Sequence, residues 1–255
     1  MSLRAVKDIE MEKARNPIAL FFLLAAGLFA SAPASARPIQ TLPEAESLRL
    51  DVNLEISVSD GAFFEPLSLS PDIYYGLSER FVLALTHSAA SQGRIGSGRS
   101  LRLTGGGNIY QNLGLEVFYR LLSLPSLDVA PQMGLMFDSF DPFRYSFKLG
   151  ALAHTQVGPI VIVANPNLQL ALNESDQREN QVILPFWGYY QFQEGMDFYA
   201  YLAIDKFEAV AFGGGAVFQA MESVRLGGQL GWPRLFGERG AFDRAHINLF
   251  AQLLL

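Results

Sequence analysis

The segment SLRLDVNLEISV, residues 47–58, alternates apolar and polar side chains without a break. Leucine, valine and isoleucine occupy every second position from Leu48 to Val58, and polar or charged residues lie between them. Successive side chains of a β-strand point to opposite faces. This segment is therefore predicted to be a strand with one apolar face and one polar face. The fold depends on which of the two faces meets water.

The same period of two recurs along the chain and favours strands over helices. It is clearest in LDVAPQMGLMF, residues 127–137, and in RYSFKLGALAH, residues 144–154. The pattern predicts twelve strands, near residues 47–58, 66–76, 80–88, 109–120, 127–137, 144–155, 160–171, 182–191, 196–204, 207–218, 224–232 and 244–255. No linker divides them. We therefore predict an all-β chain that forms one up-and-down antiparallel barrel of about twelve strands over residues 47–255.

The N-terminus has the three regions of a secretory signal peptide. Lys13 and Arg15 precede the apolar run 18–30, and small residues precede a cleavage site after residue 36. Residues 1–36 are therefore predicted to be the signal peptide, with Met11 as an alternative start that gives a more ordinary length. Residues 37–46 are predicted to be a short periplasmic segment ahead of the barrel.

Composition excludes several kinds of site and partner. The chain has 255 residues, of which 17% are charged, and it has no cysteine. Disulfides and cysteine-based sites are thereby excluded. A formal net charge of −6 gives no electrostatic reason to expect nucleic acid as a partner. No cofactor is predicted.

Alternation alone does not decide which face is the outer one. A soluble barrel has its apolar face inside, whereas a transmembrane barrel has it outside. Export, strands of 9–12 residues and aromatic residues near the strand ends favour the transmembrane arrangement. The predicted connections are short at one end of the barrel and mostly longer at the other, where they span 59–65, 88–108, 138–143, 173–181 and 233–243. This difference also favours the transmembrane arrangement.

With these features the chain resembles bacterial outer-membrane β-barrel proteins over nearly its whole mature length. SPDIYYGLSERFVLALTH, residues 70–87, is similar to a hairpin common in that class. HINLFAQLLL, residues 246–255, resembles the C-terminal strand that the class presents to the barrel-assembly machinery, although it ends in Leu255 rather than in an aromatic residue. The resemblance implies a closed barrel in the outer membrane of a Gram-negative bacterium, with outer-membrane lipids and the assembly machinery as partners. It implies no catalytic residues.

The polar strand faces contain the candidate lumen-lining residues. They are Arg49, Asp51, Glu55, Asp72, Glu116, Asp128, Arg144, Lys148, Asp197 and Arg225. Inward glycines, Gly134, Gly150, Gly213, Gly215 and Gly227, are expected to leave space between them. The sequence therefore predicts a narrow channel for passive passage of small polar solutes.

Three alternatives remain at this point. The first is a closed structural or binding barrel that acts through external loops such as residues 88–108. The second is a soluble periplasmic lipid-binding barrel. The third, an outer-membrane lipase, needs a serine activated by a histidine. His87 and Ser88 are adjacent on a predicted strand and would point to opposite faces, so we expect no enzyme.

Overall fold

The structure is a computed structural model. It describes residues 41–59, 62–88, 101–104, 110, 112–124, 126–140, 143–173, 180–205, 209–232 and 244–255. The predicted signal peptide, residues 1–36, and most of the predicted loop 88–108 lie outside the described residues. The described part of the chain contains no helix long and apolar enough to cross a membrane.

The described residues form a closed antiparallel barrel of twelve strands, as predicted. The twelve strands of the ring are β1 (Leu48–Ser59), β2 (Ala62–Gly76), β3 (Phe81–Thr86), β4 (Leu113–Tyr119, continued by Leu122–Leu124), β5 (Leu127–Phe140), β6 (Phe143–Val157), β7 (Ile160–Ala164 and Asn167–Ala171), β8 (Gln181–Gln193), β9 (Met196–Asp205), β10 (Ala209–Met221), β11 (Val224–Trp232) and β12 (Arg244–Leu254). A further short strand, Leu101–Arg102, pairs with β2 outside the ring. Each strand pairs with the next along the chain, and β12 pairs with β1 to close the ring.

Two predicted long connections are wrong. β2 begins at Ala62, so only residues 60–61 separate it from β1. In the same way β5 and β6 are separated only by residues 141–142. Both strand pairs contain a register shift near this end, with two extra residues on β2 and one on β5. These extra residues let pairing continue beyond the last clean alternation. We call this end the loop end, and the opposite end, with its two-residue turns at 158–159, 194–195 and 222–223, the turn end.

The predicted strand 160–171 is interrupted at Asn165 and Pro166. Proline has no backbone N–H to donate to a neighbouring strand, so it is poorly tolerated inside a sheet. The two pieces of β7 still occupy one place in the ring, because both pair with β6 on one side and β8 on the other. The carbonyl of Pro166 also accepts a hydrogen bond of 3.1 Å from the N–H of Ala151.

The barrel is apolar outside and polar inside. On β6, the outward Leu149 is 40% exposed, whereas the side chain of its neighbour Lys148 is fully buried. Large apolar side chains are exposed on most strands, among them Leu83, Leu115, Met133, Ile162, Phe186, Leu202, Phe212, Leu230 and Leu249. So much exposed apolar surface suits a lipid environment and would be a liability in water. Arg49, Asn53 and Glu55 of the opening segment are buried inside, so its polar face is the inner one.

Candidate functional site: the barrel interior

A buried ion pair joins two of the predicted lumen residues. Lys148 Nζ lies 2.8 Å from Glu116 Oε2, and both side chains are at most 1% exposed. The hydroxyl of Thr86 donates a 2.7 Å hydrogen bond to the other oxygen of Glu116. β3, β4 and β6 position these three groups, with Gly134 of β5 facing the pair between them. The ion pair is buried in the barrel interior, where the opposite charges of Lys148 and Glu116 neutralise each other.

Asp72 holds the chain where it leaves β3. Its carboxylate accepts hydrogen bonds from the backbone N–H groups of His87 and Ser88 and from the Ser88 hydroxyl. The His87 ring instead contacts the carbonyl of Pro71 and, at 2.6 Å, the hydroxyl of Tyr110. The side chains of His87 and Ser88 therefore have different partners, while Asp72 binds both backbone N–H groups and anchors the start of the segment that follows β3.

The other predicted lumen residues lie at different depths. Glu55 is buried and accepts hydrogen bonds from Ser68, at 3.3 Å, and Ser70, at 3.0 Å. Four lie near the turn end: Arg49, Arg225, Asp128 and Asp197, of which the last two are half-buried. Arg144 is the second residue of β6 and is exposed at the loop end. The ten residues therefore do not form one site.

Aromatic side chains fill much of the interior at β8 and β9. Trp187 and Tyr201 lie with ring centroids 5.1 Å apart, as do Tyr189 and Tyr199, and all four are buried. The aromatic residues near strand ends whose sequence positions favour a membrane interface include Trp187 and Tyr74. For these two residues the prediction is wrong, because both side chains are buried inside the barrel. The sequence offers one signal for this cluster. Trp187 and Tyr189 are two residues apart on β8, as are Tyr199 and Tyr201 on β9, so the two aromatics of each strand share a face.

Four of the five predicted inward glycines, Gly134, Gly150, Gly215 and Gly227, do not leave open space. A Cβ built on Gly215 would lie 2.8 Å from the Tyr199 ring, and one on Gly227 would lie 2.2 Å from the Phe250 ring. Gly134 is similarly close to the Glu116 side chain, and Gly150 to that of Gln132. The space that these four glycines provide is already filled by a side chain from a neighbouring strand, which corrects the prediction that they widen the lumen.

Gly215→Ala is expected to destabilise the barrel by about 1–3 kcal/mol, because the added methyl overpacks a filled interior. The built Cβ lies 2.1 Å from the backbone oxygen of Gly228, which has little freedom to move. Urea unfolding of the refolded protein in lipid vesicles measures the effect. Gly188→Ala is the matched control, since a Cβ there meets nothing within 4 Å. Equal stabilities of the two variants would contradict this packing.

A cavity lined by both polar and apolar side chains remains in the half of the interior nearest the turn end. Its volume is about 60 Å³, enough for a small cluster of water molecules. Lining side chains include Leu42, Arg49, Asp51, Asn53, Asp72, Tyr74, Phe118, Gln229, Asn248, Phe250 and Gln252. The Arg49 guanidinium nitrogen lies 3.0 Å from Asp51 Oδ2, and its Cζ lies 3.7 Å from the centroid of the Tyr74 ring. Of the cavity residues, Leu42, Gln229, Asn248 and Gln252 were not predicted to line the lumen, although the three amides follow the same alternation as the charged residues.

Three buried polar atoms at the cavity have no hydrogen-bond partner among the described residues. They are Arg49 Nε, Asp51 Oδ1 and Asn248 Oδ1. A buried donor or acceptor without a partner is costly, so such atoms are generally satisfied by water or by a ligand. These three atoms have almost no accessible surface, so the cavity does not present them to a guest in this conformation.

Comparison with solved structures places this architecture among known barrels. An outer membrane channel from Pseudomonas putida F1 superposes with a TM-score of 0.55 at 14% identity, covering 87% of this chain and all of the other. The NanC porin superposes with a TM-score of 0.58 at 9% identity, covering 80% of this chain and 98% of the other. The fold is that of an outer-membrane β-barrel.

The KdgM porin, solved in complex with disordered oligogalacturonate, also superposes, with a TM-score of 0.53 at 7% identity over 80% of this chain and 98% of the other. No family model matches the chain, and no curated protein matches it in sequence. The apolar exterior and polar interior of this barrel are the reverse of what a soluble lipid-binding barrel requires, so that alternative is overturned.

Proposed function

We propose that this barrel is a narrow channel for passive passage of small polar solutes across the bacterial outer membrane. The observation that carries the proposal is the interior cavity, whose lining includes the charged side chains of Arg49 and Asp51 and the amide of Asn248. The solved structures that share the fold include an outer membrane channel and two porins, which supports a transport role. The proposed channel needs no catalytic residue or cofactor.

The size and lining of the cavity indicate the kind of solute. Twelve strands lie between the eight of a barrel filled by side chains and the sixteen of an open porin. A cavity of about 60 Å³ admits water, small ions or a few heavy atoms, and excludes large hydrated solutes in this conformation. Arg49 and Asp51 place both signs of charge at one point, so we expect weak ion selectivity.

Single-channel recording in a planar bilayer tests the proposal, with insertion verified independently. The wild-type barrel is expected to show discrete current steps. Asp51→Asn removes a negative charge from the cavity and should shift the reversal potential in a salt gradient towards anion selectivity. Glu194→Gln removes an equal charge from an exposed turn and should leave it unchanged. Inserted barrels that pass no current at any voltage would contradict the channel.

A closed barrel that acts through its external loops is the second candidate. It is favoured by the packed aromatic cluster around Trp187 and by the glycines whose space is filled. On that view the cavity is an internal water site, and the barrel anchors the segments at its loop end. Verified insertion without current would support this candidate.

A further inference from the structure

The chain ahead of β1 lies against the turn end of the barrel interior. Leu42 is 7% exposed and belongs to the buried apolar cluster that also contains Tyr74 and Phe118. It lines the same cavity as Arg49 and Asp51. Residues 41–46, the described part of the predicted periplasmic segment 37–46, thus bring the Leu42 side chain into the mouth of the lumen, and the adjacent Pro43 is buried as well. We call these six residues the strap.

Two arginines hold the strap by its carbonyl groups. Arg120, just after the first part of β4, donates to the carbonyl of Leu42 at 3.1 Å and to that of Pro43. The same guanidinium donates to the carbonyl of Glu79 at 3.1 Å, which ties the strap to the β2–β3 turn. Arg49 donates to the carbonyl of Thr41. A guanidinium presents five donors in a fixed planar fork, so Arg120 can hold several carbonyls at once.

The close approach of the strap to β2 requires a glycine. A Cβ on Gly76 would lie 1.7 Å from the carbonyl oxygen of Glu44, a backbone atom. Gly76 also accepts a 2.6 Å hydrogen bond from the N–H of Glu46, and it donates one of 3.0 Å to the carbonyl of Ser47. No residue with a side chain fits at this position while the strap is in place.

We propose that the strap closes the turn end of the lumen, and that a solute passes this end only when Leu42 is displaced. The inference rests on the proposed channel and adds its gate. A few hydrogen bonds and two buried residues, Leu42 and Pro43, hold the strap, whereas a full hydrogen-bonded ladder holds each barrel strand. Such a segment can open locally while the barrel stays folded. Leu42 and Arg120 then control access to the cavity.

Thiol labelling tests the position of the strap without any measurement of current. The chain has no cysteine, so Leu42→Cys introduces a single thiol. In the inserted barrel we expect a maleimide to label it about tenfold more slowly than Glu44→Cys, whose side chain is exposed. Adding Arg120→Met should remove most of this protection. Arg80 is an exposed arginine at the same end of the barrel, and it hydrogen-bonds Tyr119 instead of the strap. Adding Arg80→Met should therefore preserve the protection of Leu42→Cys.

Single-channel recording then tests the gate. Arg120→Met and Gly76→Ala should both lengthen the open time or raise the conductance, whereas Arg80→Met and Gly188→Ala should match the wild type. Rapid labelling of Leu42→Cys in the parent barrel would overturn the closed strap. Slow labelling together with unchanged currents in Arg120→Met and Gly76→Ala would overturn its role as a gate. Absence of current in every variant would overturn the channel and the gate, while the labelling rates would still report where the strap lies.

Discussion

Lys148→Met is expected to lower the free energy of unfolding by about 3–5 kcal/mol, the usual cost of breaking a buried ion pair from one side. The substitution leaves the Glu116 carboxylate buried with the hydroxyl of Thr86 as its one remaining hydrogen-bond partner among the described residues. Methionine is close to lysine in length, so little volume is lost. Urea unfolding in lipid vesicles, followed by tryptophan fluorescence, measures the loss, since Trp187 is packed inside the barrel.

The double variant Glu116→Met with Lys148→Met separates charge from packing. Replacing both members of a buried ion pair by apolar residues of similar volume is often neutral or stabilising. We therefore expect the double variant to regain most of the stability that Lys148→Met loses. A double variant as unstable as the single one would show that the loss comes from packing and not from the unpaired carboxylate.

Leu149→Arg is expected to cost about 2–4 kcal/mol of folding free energy in a bilayer, the range for a lipid-facing cation near mid-membrane. Leu149 is 40% exposed on the outer face of β6 and pairs with Met133, itself 55% exposed. An arginine there places its charge in hydrocarbon and has no inward path through the closed sheet wall. Folding titrations into vesicles, with urea as the denaturant, measure the cost.

Leu121→Arg provides the matched control. Leu121 is 63% exposed beside the break in β4, close to the turn end. A cation near the membrane surface costs only about 0–1 kcal/mol. A difference between the two variants therefore reports a membrane at the depth of Leu149. If both variants fold as well as the wild type, the outer face of the barrel meets water.

Hydrophobic alternation was enough to predict the strands, their antiparallel order and the closed barrel. Period-two patterning depends only on the geometry of one strand, so residues 47–58 report their two faces from their own sequence. Asn53, Glu55 and Glu116 were assigned to the polar face for this reason, and all three are buried inside the barrel. The break at Pro166 and the early start of β2 were missed, since both depend on how neighbouring strands pair.

What occupies the interior could not be predicted in the same way. Whether Gly215 opens a lumen or receives the Tyr199 ring depends on the register between β9 and β10, which places residues distant in sequence side by side. The same holds for Lys148 and Glu116, which meet across β5. The strap shows this most clearly, because Leu42 lies outside every alternating segment and is buried only once β1, β2 and β4 have brought Arg49, Gly76 and Arg120 together. Contacts across a closed barrel are set by register and closure, which no single strand encodes.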